Sequence, residues 1–173
     1  MRFQTFDKAK WHYGAVSAPA DIPCEFGATH IAFFLRWCVE QDFMSKETIE
    51  ECGKELEAIK NKTLDCREFF MEMLDGALTS EDFNTKGGYF ASAYYGNDKT
   101  KFAKKYGTYL DNYDTAVKST LKTAIERLDD NAYFFVENSE ENYEIVKKII
   151  DKRYEQFLLM KESGKKPKTI HDN

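Results

Sequence analysis

The architecture of this chain is set by residues 28–40, which read Ala-Thr-His-Ile-Ala-Phe-Phe-Leu-Arg-Trp-Cys-Val-Glu. Apolar side chains recur there at the helical spacing i, i+3, i+4 and i+7: Ile31, Phe34, Leu35 and Cys38. Phe33 and Trp37 widen this stripe until the helix is apolar around almost its whole circumference. A helix of that kind belongs in the centre of a domain, so we predict a central helix from Ala28 to Glu40.

Further helices are predicted along the rest of the chain. Ser45 is a favourable N-cap, so a surface helix should run from about Lys46 to Lys60. A third helix should follow Thr63 and end at Asp75-Gly76, with these residues facing inward: Phe69, Phe70, Met73 and Leu74. Amphipathic patterns predict three more helices: Tyr89–Tyr95, Val117–Leu128 and a long C-terminal helix that packs beside the central one and is capped by Ser139.

β-Structure is predicted at two places. Residues 132–137, Ala-Tyr-Phe-Phe-Val-Glu, are the strongest strand candidate because aromatic and β-branched residues favour strands. Residues 1–16 interleave aromatic and polar side chains, which is typical of a short strand or hairpin. We therefore predict a mainly helical α+β fold, with about six helices packed on a small β element. The length of 173 residues favours one domain, placed at residues 1–163, followed by a flexible Lys-rich tail at 164–173.

Composition and charge narrow the class of protein. Hydrophobic residues make up 42% and charged residues 32% of the chain, as in folded globular proteins rather than disordered ones. The net charge of −5 argues against nucleic acid as a partner, because phosphate backbones require a basic face. No apolar run approaches the roughly 20 residues that span a bilayer, and no hydrophobic signal segment is visible. We therefore expect no membrane partner and a cytoplasmic location.

The cysteines are expected to be structural rather than catalytic. The chain has four of them: Cys24, Cys38, Cys52 and Cys66. They form no CxxC pair, so neither a zinc knuckle nor a redox motif is indicated. Reduced, partly buried thiols are the expected state.

Several short motifs share their order and spacing with a known group of proteins. The motifs are Trp11-His12-Tyr13-Gly14, Gly27-Ala28-Thr29-His30-Ile31 with Trp37, Asp75-Gly76, Phe90-Ala91, Tyr94-Tyr95, Tyr109-Leu110-Asp111-Asn112-Tyr113, Asn142-Tyr143 and Tyr154. In this order they resemble a bacterial domain family of unknown function over about residues 7–158. The chain departs from the pattern by inserting Lys99 to Gly107 before the Tyr109 motif.

The resemblance implies no catalytic residues, because the family has no established activity. Small acidic domains of this type look like the immunity proteins encoded beside bacterial toxins. The resemblance therefore implies a non-enzymatic protein-binding domain that neutralises a basic bacterial toxin by masking it, without a cofactor. Acidic and tyrosine side chains would form the contact surface: Asp111, Asp114, Tyr94, Tyr95, Tyr109 and Tyr113.

Each of those contact residues also has a structural interpretation. Asp111 and Asp114 lie three positions apart and share a helix face. Acidic residues at that spacing are also typical of a helix N-terminus, where they satisfy free amides and the helix dipole. Tyrosine-rich segments suit the margin of a hydrophobic core as well as an interface. Both interpretations stand at the level of the sequence.

A different chemistry is suggested by the histidines. His12 and His30 lie eighteen residues apart on either side of a Pro-containing loop. Two imidazoles joined by the carboxylates of Asp111 and Asp114 would hold a divalent metal or transfer protons. The alternative function is therefore a small metal-dependent or acid–base enzyme. In the structural interpretation, His30 bonds the backbone near Trp11 and His12 packs beside that ring.

Overall fold

The computed structural model describes residues 3–20, 22–123 and 130–163. Its regular elements, in chain order, are β1 (Thr5–Lys8), α1 (Ala9–Tyr13), α2 (Thr29–Glu40), α3 (Lys46–Lys60), α4 (Cys66–Met73), β2 (Ala77–Thr79), α5 (Thr85–Tyr94), α6 (Lys101–Tyr106), α7 (Tyr109–Val117) and α8 (Glu140–Ser163). Two 3-10 helices span Cys24–Ala28 and Asp130–Phe135. The predicted mainly helical α+β fold is confirmed, whereas the predicted tail at 164–173 lies outside the described residues.

Helix α2 is the centre of the core, as its apolar circumference predicts. It packs against α3, α4 and α8, and Trp37 is fully buried. The Trp37 ring lies 5.4 Å from the rings of Phe90 and Tyr154, centroid to centroid. Its Nε1–H donates to Asp151 Oδ1 at 2.7 Å. One side chain therefore ties α2 to both α5 and α8.

The predicted bounds of α3 are confirmed, whereas the helix predicted over Tyr89–Tyr95 begins four residues earlier, at Thr85. Ser45 Oγ accepts from the backbone N–H of Thr48 at 3.1 Å, which fixes the start of α3 because free amides at a helix start need acceptors. In α4, Phe69 and Phe70 are buried as predicted. Met73 is 49% exposed, so its inward placement is wrong. It lies on the last turn of α4, at the margin of the core.

The β element is a two-stranded antiparallel sheet of β1 and β2. Thr5 pairs with Thr79 and Lys8 with Ala77, and the register is irregular between Thr5 and Asp7. The predicted N-terminal strand is thus confirmed over four residues, after which the chain turns directly into α1. The irregularity lies directly before Asp7, whose side chain is buried in the protein.

The strand predicted over 132–137 is wrong. The chain forms a 3-10 helix over Asp130–Phe135, and Val136 makes an isolated bridge rather than a strand. Phe134 and Phe135 are nevertheless buried. The aromatic composition that suggested a strand therefore serves core packing from a tight helical segment, since burial and β-propensity select the same residue types.

The helix predicted over Val117–Leu128 is wrong in its first half. Helix α7 ends at Val117, and residues 118–120 form a turn. Leu121 is still buried, which explains why the apolar spacing suggested a continuing helix. Residues 124–129 lie outside the described part of the chain.

All four cysteines are free, with Cys24 exposed and the others buried, so the prediction of unpaired, partly buried thiols is confirmed. None of the helices in the described ranges is long and apolar enough to cross a membrane.

An ion-pair cluster fixes the start of α8 on α2. Arg36 donates to both carboxylate oxygens of Glu140, at 2.8 and 3.0 Å, and its guanidinium lies 3.7 Å from the centroid of the Tyr143 ring. Lys62 Nζ donates to Glu140 at 2.6 Å. These hydrogen bonds, Arg36 first, lower the pKa of Glu140 from its ordinary value of 4.5 to about 2.

We expect Glu140→Gln to destabilise the protein at neutral pH and to have little effect near pH 2. Because the folded-state pKa of Glu140 is lowered, its contribution is complete above about pH 4.5 and disappears as the pH falls through about 2. Its side chain is 45% exposed, so screening keeps the loss to about 1 kcal/mol or less. Urea unfolding across this pH range measures it. Glu141→Gln is the matched control and should cost less, because the described residues give Glu141 a single ion pair, with the exposed Lys122.

Candidate metal centre

Three side chains from the N-terminal third of the chain meet at one point: Asp7, His12 and His30. His12 Nε2 lies 2.7 Å from Asp7 Oδ1, and His30 Nε2 lies 3.1 Å from Asp7 Oδ2. The two Nε2 atoms are 3.2 Å apart. The sequence left open whether His12 and His30 meet, and the fold brings them into contact.

The local backbone structure positions each of these three side chains. Asp7 lies in β1 beside the register irregularity, and bulges of this type re-aim side chains near functional sites. His12 lies in α1, five residues further on, and His30 is the second residue of α2. Gly27 permits the close approach of α1 to this helix start. A Cβ there would lie 2.9 Å from Ala9 O and 3.1 Å from the Tyr13 nitrogen, so a larger residue would push α1 and His12 away.

Two buried tyrosine hydroxyls form hydrogen bonds with Asp7 and His30. The Tyr95 hydroxyl donates to Asp7 Oδ2 at 2.9 Å, and the Tyr109 hydroxyl donates to the His30 carbonyl at 2.6 Å. Hydrogen bonds to the outer side of a ligand fix its orientation and tune its basicity. These hydrogen bonds anchor the side chain of Asp7, in β1, and the backbone of His30, in α2.

Burial distinguishes the three ligand candidates from one another. The Asp7 and His30 side chains are only 3% and 1% exposed, whereas the His12 side chain is 20% exposed. Trp11, the neighbour of His12 on α1, is 51% exposed. His12 is therefore the most exposed of the three side chains.

The protonation states suit metal binding at neutral pH. Burial alone would raise the pKa of Asp7, but hydrogen bonds to His12 and His30 outweigh it and hold that pKa well below its usual range. Burial lowers the pKa of His30 to about 4, against the opposing hydrogen bond to Asp7. Asp7 is therefore ionised and His30 neutral at pH 7, which are the forms that coordinate metals.

Hydrogen bonds do not account for all three contacts among Asp7, His12 and His30 when Asp7 is ionised. If both imidazoles carry a proton on Nε2, each donates to Asp7, but two N–H groups then face each other across 3.2 Å. If only one imidazole carries that proton, a nitrogen lone pair faces a carboxylate oxygen at 2.7 or 3.1 Å. With Asp7 ionised and both imidazoles neutral, at most two of the three contacts are hydrogen bonds, because each ring nitrogen is either a donor or an acceptor.

A metal ion would satisfy all three contacts at once. With metal–ligand bonds of about 2.0–2.2 Å, neighbouring ligand atoms lie about 2.8–3.1 Å apart in octahedral geometry and about 3.3–3.6 Å apart in tetrahedral geometry. The observed separations of 2.7, 3.1 and 3.2 Å are close to the octahedral range and slightly shorter than the tetrahedral one. The cluster can alternatively move protons, since Asp7 orients the partly exposed His12 imidazole as a general base.

The aspartates predicted to complete the histidine site belong elsewhere. Asp111 closes the capping box of α7, where its Oδ2 accepts from the Thr108 backbone N–H at 2.9 Å. Asp114 accepts from Lys118 Nζ at 2.7 Å. The helix-start interpretation of Asp111 is thus correct, and its assignment beside the histidines is wrong. Asp7, which sequence reasoning missed, supplies the carboxylate.

The four tyrosines predicted to form a contact surface are all buried in the core: Tyr94, Tyr95, Tyr109 and Tyr113. Each is at most 1% exposed, so none is available to an incoming protein in this fold. The rings of Tyr95 and Tyr109 pack against Phe34, the ring of Tyr94 packs against Phe90, and the ring of Tyr113 packs against Tyr109. The core interpretation is the one that their burial supports.

Fold and site together define a mainly helical α+β domain with a buried aspartate and two histidines at its N-terminal end. The chain belongs to the family described as "Domain of unknown function (DUF7832)", whose model matches residues 5–127. That range contains Asp7, His12 and His30. Neither the curated proteins nor the solved structures include a match to the chain.

Proposed function

We propose that this domain binds one divalent transition-metal ion through a carboxylate oxygen of Asp7 and the Nε2 atoms of His12 and His30. The observation that carries the proposal is the set of separations between the donor atoms, 2.7, 3.1 and 3.2 Å. With Asp7 ionised and both imidazoles neutral, a shared cation satisfies all three contacts, whereas hydrogen bonds satisfy at most two of them. A metal-dependent activity is the functional class that this site supports best.

The donor set indicates which metals fit. Two imidazole nitrogens and one carboxylate are a frequent set for zinc in hydrolytic centres and for non-haem iron(II). Hard cations such as Mg²⁺ prefer oxygen ligands and keep their water. The site should therefore select Zn²⁺, Fe²⁺ or Co²⁺ over Mg²⁺.

We expect chelator-treated protein to bind one Zn²⁺ per chain and to gain thermal stability from it. At a free metal concentration of 100 times Kd, linkage adds about 2.7 kcal/mol, or about 5–10 °C in Tm for a domain of this size. Calorimetric titration and thermal unfolding measure both quantities. Mg²⁺ at equal concentration is the control and should leave Tm unchanged. Absence of zinc binding at micromolar concentrations would contradict the proposal.

The immunity-type role is a separate hypothesis that stays a prediction, as do a bacterial origin and a cytoplasmic location. The net charge of −5 supports docking onto a basic protein partner such as a toxin. With the tyrosines buried, Asp111 and Asp114 would carry the contact, and the Asp114 side chain is 45% exposed. These aspartates lie on α7, so a protein-binding role there is compatible with metal binding at Asp7.

A further inference from the structure

We infer that the metal keeps at least one coordination position that is filled by water and that a small anion can take. This inference rests on the proposed metal site and extends it from a binding site to a reactive one. An exchangeable position is what separates catalytic metal centres from structural ones, which are closed by four protein ligands.

Three protein ligands are too few to complete the coordination of a divalent metal ion. Among the described residues, the group of histidine, cysteine and carboxylate side chains that can share an ion consists of Asp7, His12 and His30. Zinc takes at least four ligands and iron(II) commonly six. Within the described residues, protein donors therefore leave one or more positions to other ligands.

The hydroxyl groups of Tyr95 and Tyr109 lie next to the cluster but are not suited to bind the metal. Tyr95 and Tyr109 approach the cluster as donors, to Asp7 and to the His30 carbonyl. A protonated phenol already engaged as a donor is a poor metal ligand. These groups support the site from outside and do not close it.

Solvent comes nearest to the cluster at His12. The His12 side chain is 20% exposed, in contrast to the enclosed side chains of Asp7 and His30. His12 stands on the short helix α1, and the next residue of that helix, Tyr13, is 37% exposed. Water or a small anion would therefore approach the metal from the His12 side. Anions suit the position because a divalent ion with a single carboxylate ligand keeps a net positive charge.

The test replaces the metal by Co²⁺, whose visible absorption reports its ligands, and titrates the full-length protein with sodium azide. Protein is kept in excess so that free cobalt does not contribute. We expect cobalt bands that shift saturably with millimolar azide, with one azide per metal. The protein carrying Trp11→Ala is the matched control, and it should show the same shift because Trp11 neighbours the site without ligating.

Two results would overturn the inference, and they are distinguishable. If Co²⁺ gives protein-bound bands that azide does not alter at any concentration up to molar, the metal site stands and is closed. If no protein-bound cobalt bands form, the proposed metal function fails and the exchangeable position fails with it.

Discussion

Replacing Trp37 by alanine should lower the free energy of unfolding by about 3–5 kcal/mol, the range for large buried aromatics. The ring is fully buried in α2 and contacts aromatic rings of α5 and α8, including Phe90 and Tyr154. The substitution also removes the donor to Asp151. A loss of this size is a large part of the 5–15 kcal/mol typical of domains. Urea unfolding followed by circular dichroism measures it.

Trp11 provides a matched control of the same residue type. It is 51% exposed, so Trp11→Ala should change the unfolding free energy by no more than about 0.5–1 kcal/mol. Trp37→Phe retains an aromatic ring and loses the N–H, so it should fall between the two. Equal costs for Trp37→Ala and Trp11→Ala would contradict the placement of α2 at the centre of the core.

Replacing His12 by alanine should weaken zinc binding by at least about 100-fold, because the loss of an outer-layer partner alone costs 10–100-fold in other sites. His12 is the preferred ligand to change, since its side chain is partly exposed and the fold should survive. His30 is buried in α2, and its loss would confuse binding with folding. Competition with a chromophoric chelator measures the affinity.

The control for this experiment uses the same region of the chain. Trp11→Ala, one position away on α1, should bind zinc like the unaltered protein. The His12→Ala protein should retain its helical circular dichroism but lose the thermal stabilisation by zinc. Zinc affinity unchanged by His12→Ala would remove His12 from the ligand set.

Helical periodicity predicted most of the core, because apolar stripes determine which face of a helix is buried. Residues 28–40 and the cap at Ser45 are the clearest examples. Reasoning from β-propensity failed over 132–137, where aromatic residues are buried from a 3-10 helix without a partner strand. Strand formation depends on pairing with distant residues, which composition alone does not encode.

The sequence pointed to two of the three residues of the candidate site, His12 and His30, and missed Asp7. The sequence drew attention to His12 and His30 but gave no measure of their distance, which depends on the approach of α1 to the start of α2 at Gly27. Asp7 looked like an ordinary polar residue of a short strand, and the register irregularity that turns it inward is invisible in sequence. Asp111 was misplaced because a capping residue and a ligand pair share the same spacing.

The most direct test of the metal site is anomalous X-ray diffraction at the zinc edge from zinc-loaded crystals of the full chain. The account predicts one strong anomalous peak within about 2.0–2.2 Å of His12 Nε2, His30 Nε2 and a carboxylate oxygen of Asp7. A zinc-saturated crystal with no peak at these three residues, or with its peak at another set of side chains, would contradict it.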